Sequence, residues 1–253
     1  MQQSTSIKIG RFKKGDAEFI GYLIGDVVTI IGETYLERLS LEDLKVLPPC
    51  VPSKIIGVGL NYRDHAAELK MPIPDEPLIF LKPPTAVIGP EDYILLPPES
   101  SEVHYEGELA LVVGKELYRP KSYREAEEAI LGYTCFNDVT ARDLQRKDGQ
   151  WTRSKSFNTF APIGPFIVRD LDPTNLSIQT RLNGNVVQSS STRELIFKPV
   201  ELLYRISQIM TLLPGDVIAT GTPFGVGPLK AGDVVEVEIE SIGLLRNYVK
   251  AIE

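Results

Sequence analysis

Two glutamates precede an apolar, strand-like run near the middle of the chain: His104-Tyr105-Glu106-Gly107-Glu108-Leu109-Ala110-Leu111-Val112-Val113. Because side chains alternate along a strand, Glu106 and Glu108 project from one face, about 7 Å apart along the backbone. On a solvated edge such a pair is commonly just a wet strand end. Beside a run as apolar as 109–113 the pair is expected to be partly buried, where it needs a cation or a proton. The stretch therefore predicts a strand with a candidate metal site at its entrance.

A third carboxylate follows another predicted strand, in the segment Cys135-Phe136-Asn137-Asp138-Val139-Thr140. Taken alone, Asp138 is typical of a turn or of a helix N-cap. Together with Glu106 and Glu108 it makes an all-oxygen set without cysteine, which suits Mg²⁺ or Mn²⁺ with water or substrate completing an octahedron. Zinc would fit this set poorly.

Strand patterns dominate the rest of the chain, and their irregular spacing favours a mainly β (α+β), rolled architecture over alternating βαβ units. One helix is predicted over 123–131, with Ser122 and Glu125 as a capping box, and another from Pro199 to just before Pro214. The proline-dense segment 47–52 cannot continue a helix or a central strand. We therefore predict a small β-rich N-terminal domain over 1–50 and a main domain over 51–253. The predicted strands cover 7–12, 19–31, 54–58, 78–82, 109–113, 134–137, 163–168, 176–182, 217–220, 234–239 and 244–252.

Composition narrows the classes of function. The 253 residues carry a net charge of −7 and no lysine- and arginine-rich run, which argues against nucleic acid as a partner. Two cysteines make neither a disulfide framework nor a paired zinc motif. No signal-peptide pattern and no membrane-spanning apolar stretch is found. We expect a cytoplasmic protein with no membrane partner.

Four motifs together resemble the fumarylacetoacetate hydrolase family, over roughly residues 54 to 250. The resemblance implies a twisted β-roll catalytic domain, a homodimer, and one Mg²⁺ or Mn²⁺ ion per subunit held by Glu106, Glu108 and Asp138. The motifs are the pair of glutamates, the segment Asn137-Asp138-Val139-Thr140-Ala141-Arg142-Asp143-Leu144-Gln145, the step Lys155-Ser156-Phe157 and the turn Gly221-Thr222-Pro223.

Further site residues are expected around this cluster. On composition alone Lys155 would be a solvated surface lysine, but near three carboxylates it can offset their charge and hold an anionic substrate oxygen, the role that the resemblance favours. Arg142 and Gln145 follow Asp138 at helical spacing, which would point all three toward one face. The guanidinium could then bind a substrate carboxylate while the amide of Gln145 orients a water molecule.

His65 and Glu68 form a candidate catalytic pair. They lie three residues apart in a segment that turns into a short helix, so Glu68 can orient the imidazole and raise its basicity. Hydrolytic members of the family look similar here, and the proline-rich stretch 71–77 suggests a mobile lid. Gly57-Val58-Gly59 fails the dinucleotide fingerprint because residue 62 is tyrosine.

The loop from Gly221 to Gly227 lacks the ending of a phosphate-binding Walker motif. Mainly from the resemblance, we interpret it as a substrate-side loop in which Gly221 and Thr222 bind substrate.

The function predicted from these features is Mg²⁺- or Mn²⁺-dependent hydrolysis of a carbon-carbon bond in a small 2-oxo carboxylate of the acylpyruvate type. One alternative keeps the metal and replaces hydrolysis by isomerisation or decarboxylation of 2-hydroxyhepta-2,4-diene-1,7-dioate or an oxo diacid such as oxaloacetate, as in aromatic catabolism. An alternative of another class is a non-catalytic β domain that binds a metal or ligand.

Overall fold

A computed structural model describes residues 7–31, 36–64 and 72–252. Its helices are short: α1 (Tyr123–Glu127), α2 (Arg142–Asp148), α3 (Thr152–Lys155) and α4 (Pro199–Ser207). None of the helices in these residues has the length and hydropathy to span a bilayer. The strands are β1 (Lys8–Lys14), β2 (Ala17–Ile24), β3 (Val27–Ile31), β4 (Leu36–Ser40), β5 (Lys45–Leu47), β6 (Ile55–Gly59), β7 (Leu78–Lys82), β8 (Val87–Ile88), β9 (Tyr93–Leu96), β10 (Val103–Tyr105), β11 (Gly107–Val113), β12 (Ile130–Asn137), β13 (Thr140–Ala141), β14 (Ala161–Val168), β15 (Ser177–Leu182), β16 (Asn185–Ser191), β17 (Val217–Ala219), β18 (Gly227–Pro228), β19 (Val234–Ile239) and β20 (Gly243–Ala251).

The strands build three sheets, which confirms the predicted mainly β fold class. A twelve-stranded sheet has the order β4-β3-β2-β1-β14-β12-β11-β17-β6-β7, with β5 added to β1 and β8 added to β14. A five-stranded sheet runs β16-β15-β19-β20-β9, and a three-stranded sheet runs β13-β10-β18.

The strand β11 lies inside the large sheet, and all seven of its residues are buried. Leu109 and Leu111 pack into a core cluster that includes Ile178 of the five-stranded sheet. Ala110 and Val112 belong to a second cluster with β14 and β17. Because both faces are covered, the strand is continuously apolar rather than alternating, and each large side chain contributes about 1.5–3 kcal/mol through burial.

The pairing register of β11 brings the site together. Gly107 lies opposite Asn137 on β12, so the neighbours Glu106, Glu108 and Asp138 come within reach of one another. On the other side β11 pairs with β17, and the chain that leaves β17 continues along it, since the amide of Thr220 donates to the carbonyl of Leu109 at 3.0 Å. Two neighbouring strands therefore deliver a carboxylate and a loop to the same end of β11.

The N-terminal strands join the large sheet directly. Lys8 and Ile9 of β1 pair with Val168 and Ile167 of β14. These strands also bury a cluster around Phe12, which includes Phe166 of β14. Hydrogen bonding thus continues across the expected boundary near residue 50, and the division into domains 1–50 and 51–253 stays a prediction.

The helix predicted over 123–131 is too long. The structure ends it at Glu127, although the Ser122 Oγ caps it as expected by accepting from the Glu125 amide at 3.2 Å. From Ile130 onward the chain is strand β12, because pairing with β11 satisfies its backbone and overrides local helix propensity. The helix predicted from Pro199 begins at that residue but ends at Ser207, before the predicted end next to Pro214.

The buried carboxylate of Asp216 holds the start of the segment that leads into β6. The Asp216 carboxylate accepts hydrogen bonds from the Ser53 hydroxyl at 2.6 Å, the Lys54 amide at 3.1 Å and the Leu213 amide at 2.8 Å, and it pairs with the Lys54 ammonium. Burial alone would raise the pKa of Asp216, but the bonds from Lys54 and Ser53 outweigh it and lower that pKa.

We expect Asp216→Ala to lower the free energy of unfolding by about 3 kcal/mol, because an ammonium and several amides lose their acceptor. Since the folded-state pKa is depressed, this stability is present above the ordinary aspartate pKa of about 3.9 and is lost as pH falls through the lower folded value. Urea unfolding at pH 7 and pH 3 measures both effects. Asp233→Ala, which removes exposed hydrogen bonds, is the control, and equal losses in both variants would contradict the expectation.

Candidate metal centre and active site

Three buried carboxylates converge where β11 meets β12. Glu106, Glu108 and Asp138 each offer an oxygen, and these oxygens lie within 4.8 Å of one another. Their residues are 6%, 2% and 1% exposed. The arrangement is the one expected from the spacing of the two glutamates and from the position of Asp138 after the neighbouring strand.

Glu106 is neutralised from two directions. Its Oε1 accepts from the Arg142 guanidinium, and its Oε2 accepts from the Lys155 ammonium at 3.0 Å. Burial alone would raise the pKa of Glu106, but Lys155 and Arg142 hold it well below its usual range. Its backbone amide also donates to the Asn137 side chain at 2.9 Å, which anchors the residue to β12.

Asp138 lies between two buried lysines. Its Oδ1 accepts from the Lys82 ammonium at 2.5 Å, and its Oδ2 accepts from the Lys155 ammonium. Burial lowers the pKa of Lys82, an effect that the nearby Lys155 reinforces. Burial would also lower the pKa of Lys155, but Asp138 and Glu106 outweigh it and raise that pKa. The Lys155 ammonium further lies 4.8 Å from the centre of the Phe80 ring.

Glu108 is the least compensated of the three carboxylates. Within the described part of the chain, its side chain accepts one hydrogen bond, from the Gly221 amide at 2.8 Å. Burial and the neighbouring charges of Asp138 and Glu106 raise the pKa of Glu108 well above its usual value. A dication placed among the three oxygens would remove this repulsion.

The donor chemistry fits a hard cation. An all-carboxylate set within 4.8 Å suits Mg²⁺ or Mn²⁺, which also leave coordination positions for water or substrate. Within the described residues the set contains neither the thiolate nor the imidazole that zinc favours. Glu106, Glu108 and Asp138 would hold the ion, as the sequence predicts.

Arg142 and Gln145 reach the site from the first turn of α2. The Arg142 guanidinium donates to Oε1 of the Gln145 side chain at 2.6 Å, and both residues line the cavity. The expected helical spacing from Asp138 is wrong, because the helix begins at Arg142 and Asp138 precedes the short strand β13. All three residues still line the same cavity.

Gly221 and Thr222 support the glutamates. Gly221 has a φ of 98°, and a Cβ there would lie 2.8 Å from the Asn61 Cβ, so the position requires glycine. Its amide is used by Glu108, and the Thr222 hydroxyl donates to the Gly107 carbonyl at 2.9 Å. The structure thus gives both residues contacts with the β11 entrance, and their predicted binding of substrate stays a prediction.

A cavity of about 540 Å³ opens over the carboxylates. One wall is apolar, where Phe80 and Trp151 meet edge to face with ring centres 5.3 Å apart. A Cβ on Gly59 would lie 2.7 Å from the Trp151 ring, so this glycine makes space for the indole. The cavity lining comprises Val58, Gly59, Leu60, Pro72, Pro74, Leu78, Phe80, Glu106, Glu108, Asp138, Arg142, Gln145, Arg146, Trp151, Lys155 and Thr222.

The predicted pair His65 and Glu68 lies outside the described residues. Asn61, just before it, is buried and binds the carbonyls of Phe197 at 3.0 Å and Thr220 at 2.7 Å. The sequence did not identify Lys82 as a site residue. Its only visible feature there is its position at the end of an apolar strand. Sequence reasoning also missed the aromatic wall formed by Phe80 and Trp151.

A family model and a solved structure that match this chain point to the same family. The family described as "Fumarylacetoacetate (FAA) hydrolase C-terminal" matches residues 54–250. The solved structure of 5-carboxymethyl-2-hydroxymuconate delta-isomerase from Mycobacterium smegmatis is 46% identical, with a TM-score of 0.91 over 97% of this chain and 99% of that chain.

Two further relatives have printed activities. Oxaloacetate tautomerase FAHD2A, mitochondrial, of Bos taurus is 45% identical over 85% of this chain and 73% of its own. Maleylpyruvate hydrolase from Sphingobium sp. SYK-6, solved in complex with manganese(II) ion and pyruvate, is 29% identical, with a TM-score of 0.82 over 97% of this chain and 100% of that chain.

Proposed function

Because the chain belongs to the fumarylacetoacetate hydrolase family, we propose that it is a Mg²⁺- or Mn²⁺-dependent enzyme that hydrolyses a carbon-carbon bond in a small 2-oxo carboxylate of the acylpyruvate type. The observation that carries the proposal is the buried triad of Glu106, Glu108 and Asp138, whose oxygens lie within 4.8 Å of one another. The triad opens on a cavity of about 540 Å³ that suits a small organic acid.

The ion and the small molecule bound in a relative support the choice of cofactor and substrate class. The maleylpyruvate hydrolase structure contains manganese(II) and pyruvate, which is the smallest 2-oxo carboxylate fragment that acylpyruvate cleavage would release. A divalent cation at the triad would supply Lewis-acid polarisation of the 2-oxo group.

The side chains around the triad have distinct tasks in this proposal. Lys155, which is buried between Glu106 and Asp138, places its ammonium group at the cavity wall, where it stabilises negative charge on the substrate oxygen. Arg142 binds the substrate carboxylate, and Gln145, fixed by its bond to Arg142, orients the attacking water. Gly221 and Thr222 bind substrate from the opposite loop.

His65, oriented by Glu68, acts as the general base in this proposal. It removes a proton from water as the oxygen attacks the distal carbonyl carbon. The bond between that carbon and the adjacent methylene then breaks, and the methylene carbon receives a proton from the imidazolium. The products are a carboxylic acid and pyruvate, so one water is consumed for each bond cleaved.

Isomerisation or decarboxylation on the same residues is the second candidate. The isomerase and tautomerase relatives, which are 46% and 45% identical to this chain, support the isomerisation variant. The substrates would then be a hydroxy-diene diacid or oxaloacetate. A non-catalytic metal- or ligand-binding domain is the alternative of another class, and it predicts binding without turnover.

We also propose a homodimer working in the cytoplasm. Cys50 and Cys135 are both free and buried, which suits a reducing compartment. Light scattering on the purified chain tests the dimer.

The proposed function predicts metal-dependent turnover together with a fluorescence change. Trp151 is the only tryptophan of the chain and lines the cavity, so its emission reports ligand directly. We expect 2,4-dioxopentanoate to be cleaved to acetate and pyruvate with Mg²⁺ or Mn²⁺, and pyruvate plus Mn²⁺ to alter the emission. Chelator should abolish both.

Product analysis separates the candidates. Oxaloacetate and 2-hydroxyhepta-2,4-diene-1,7-dioate are assayed in parallel for carbon dioxide release and tautomer shift. Full turnover in chelator would exclude the metal-dependent reaction, and a fluorescence response without any turnover would support the binding domain.

A further inference from the structure

A buried amide outside the cavity connects both sides of the metal centre. Gln188 lies on β16 in the five-stranded sheet and is 1% exposed. Its Oε1 accepts from the Gly107 amide at 3.0 Å and from the Thr180 hydroxyl at 2.7 Å. Its Nε2 donates to the Thr222 hydroxyl and to the Pro223 carbonyl, each at 2.9 Å, with a longer contact to the Phe224 carbonyl at 3.4 Å.

The four shorter contacts use every donor and acceptor position of the amide and fix its orientation. A glutamine side chain has two N–H donors and an oxygen with two acceptor positions. The Gly107 amide can only donate and the Pro223 carbonyl can only accept, so Oε1 must face the first and Nε2 the second. Rotating the amide would break bonds at both ends, and such fully satisfied buried groups hold their partners rigidly.

The two partners of Gln188 belong to the two halves of the candidate site. Gly107 is the residue between Glu106 and Glu108, and the Thr222-Pro223 step follows Gly221, whose amide donates to Glu108 at 2.8 Å. The Thr222 hydroxyl closes the ring by donating to the Gly107 carbonyl at 2.9 Å. A Cβ on Gly107 would lie 2.1 Å from the Thr180 Oγ1, so glycine is what allows the second sheet to approach this closely.

We propose that Gln188 is a positioning residue that sets Glu108 and the Gly221–Pro223 loop relative to Glu106 and Asp138. It is absent from the cavity lining, so it acts through Gly107 and Thr222 rather than on substrate. The inference rests on the proposed function, because the quantity that Gln188 controls is the geometry for a divalent ion and an oxo acid.

The test compares Gln188→Met, which keeps the length of the side chain and removes its hydrogen bonds, with Thr180→Val. We expect Gln188→Met to bind Mn²⁺ about tenfold more weakly by calorimetry, as is usual when a partner behind a ligand is removed. At saturating Mn²⁺ its KM for 2,4-dioxopentanoate should rise by a similar factor while kcat changes less.

Thr180→Val is the matched control. It removes a bond to the same Oε1 and is equally buried, yet it leaves the Gly107 and Thr222 contacts in place. Its Mn²⁺ affinity and KM should stay within about twofold of the unmodified chain.

A purely structural role for Gln188 would lower thermal stability and leave both constants unchanged, and that result in folded Gln188→Met would overturn the inference. If Gln188→Met does not fold, Thr222→Val removes the Gln188–Thr222 bond and the direct Thr222–Gly107 bond with little change of volume. It should show the same weaker Mn²⁺ binding, and unaltered binding there would also overturn the inference. Failure of the unmodified chain to bind Mn²⁺ would instead remove the proposed function.

Discussion

Glu108→Gln is expected to lower metal-dependent kcat/KM by about 10³-fold, since it removes a charged ligand oxygen from the centre on which substrate polarisation depends. Mn²⁺ binding measured by calorimetry should weaken in parallel. Glutamine keeps the shape of the side chain and can still accept from the Gly221 amide, so the loop should stay in place. The loss would then report the carboxylate charge itself.

The same variant should be no less stable than the unmodified chain in chelator. Because the folded-state pKa of Glu108 is raised, its stabilising contribution is complete below the ordinary glutamate pKa of about 4.3 and is lost as pH rises through the higher folded value. Ionising Glu108 therefore costs stability, and Glu108→Gln removes that cost. Melting temperatures should fall as pH rises above about 4.3 in the unmodified chain and depend less on pH in the variant.

The control for this experiment is Glu240→Gln, at an exposed glutamate that accepts from the Ser177 amide at 3.0 Å. It should retain turnover and Mn²⁺ affinity. Turnover of Glu108→Gln within tenfold of the unmodified chain would be incompatible with a catalytic metal held by this triad.

Lys155→Met and Lys82→Met should separate catalysis from charge balance. Both ammonium groups are buried and both pair with Asp138, so each replacement leaves a carboxylate under-compensated and should cost about 3 kcal/mol of unfolding free energy. Only Lys155 of the two lines the cavity. We expect kcat to fall by about 10²–10³-fold in Lys155→Met, as for loss of a group that stabilises developing charge.

Lys82→Met is the matched control, with an expected loss of about tenfold or less at saturating Mn²⁺ because Lys82 acts only by holding Asp138. Chemical unfolding and steady-state kinetics on both variants give the comparison. Equal kinetic losses would mean that Lys155 contributes through the position of Asp138 rather than through contact with substrate.

Much of the fold could be predicted because its strands carry strong local patterns. The segments 78–82 and 234–239 form strands with the expected bounds, and the apolar run after Glu108 is a fully buried strand. The error at 123–131 arises from a contact between distant segments. Residues 130 and 131 follow a helix-start signal, yet they belong to β12 because that strand pairs with β11. Periodicity and turn signals describe only a few neighbouring residues, so they cannot predict pairing between distant strands.

The candidate triad was predictable for the same local reason, as two glutamates at strand spacing and an aspartate at a strand end have few ways to lie apart when those strands pair. The register Gly107 to Asn137 completes the arrangement. Lys82 and Gln188 carried no comparable signal. A lysine at the end of an apolar strand and a glutamine in a polar hairpin are usually exposed, so the sequence did not indicate that these two are buried.

The sequence by itself determined the mainly β class, the family and the three acidic positions, because all of these depend on patterns within single strands and short motifs that can be read along the chain. Only the tertiary structure decided what surrounds them. Lys82 meets Asp138 across 56 residues of chain and Gln188 meets Gly107 across 81, and both contacts arise from how strands and sheets are placed against one another. Such hydrogen bonds follow from packing between distant segments, which leaves no periodic trace in either one.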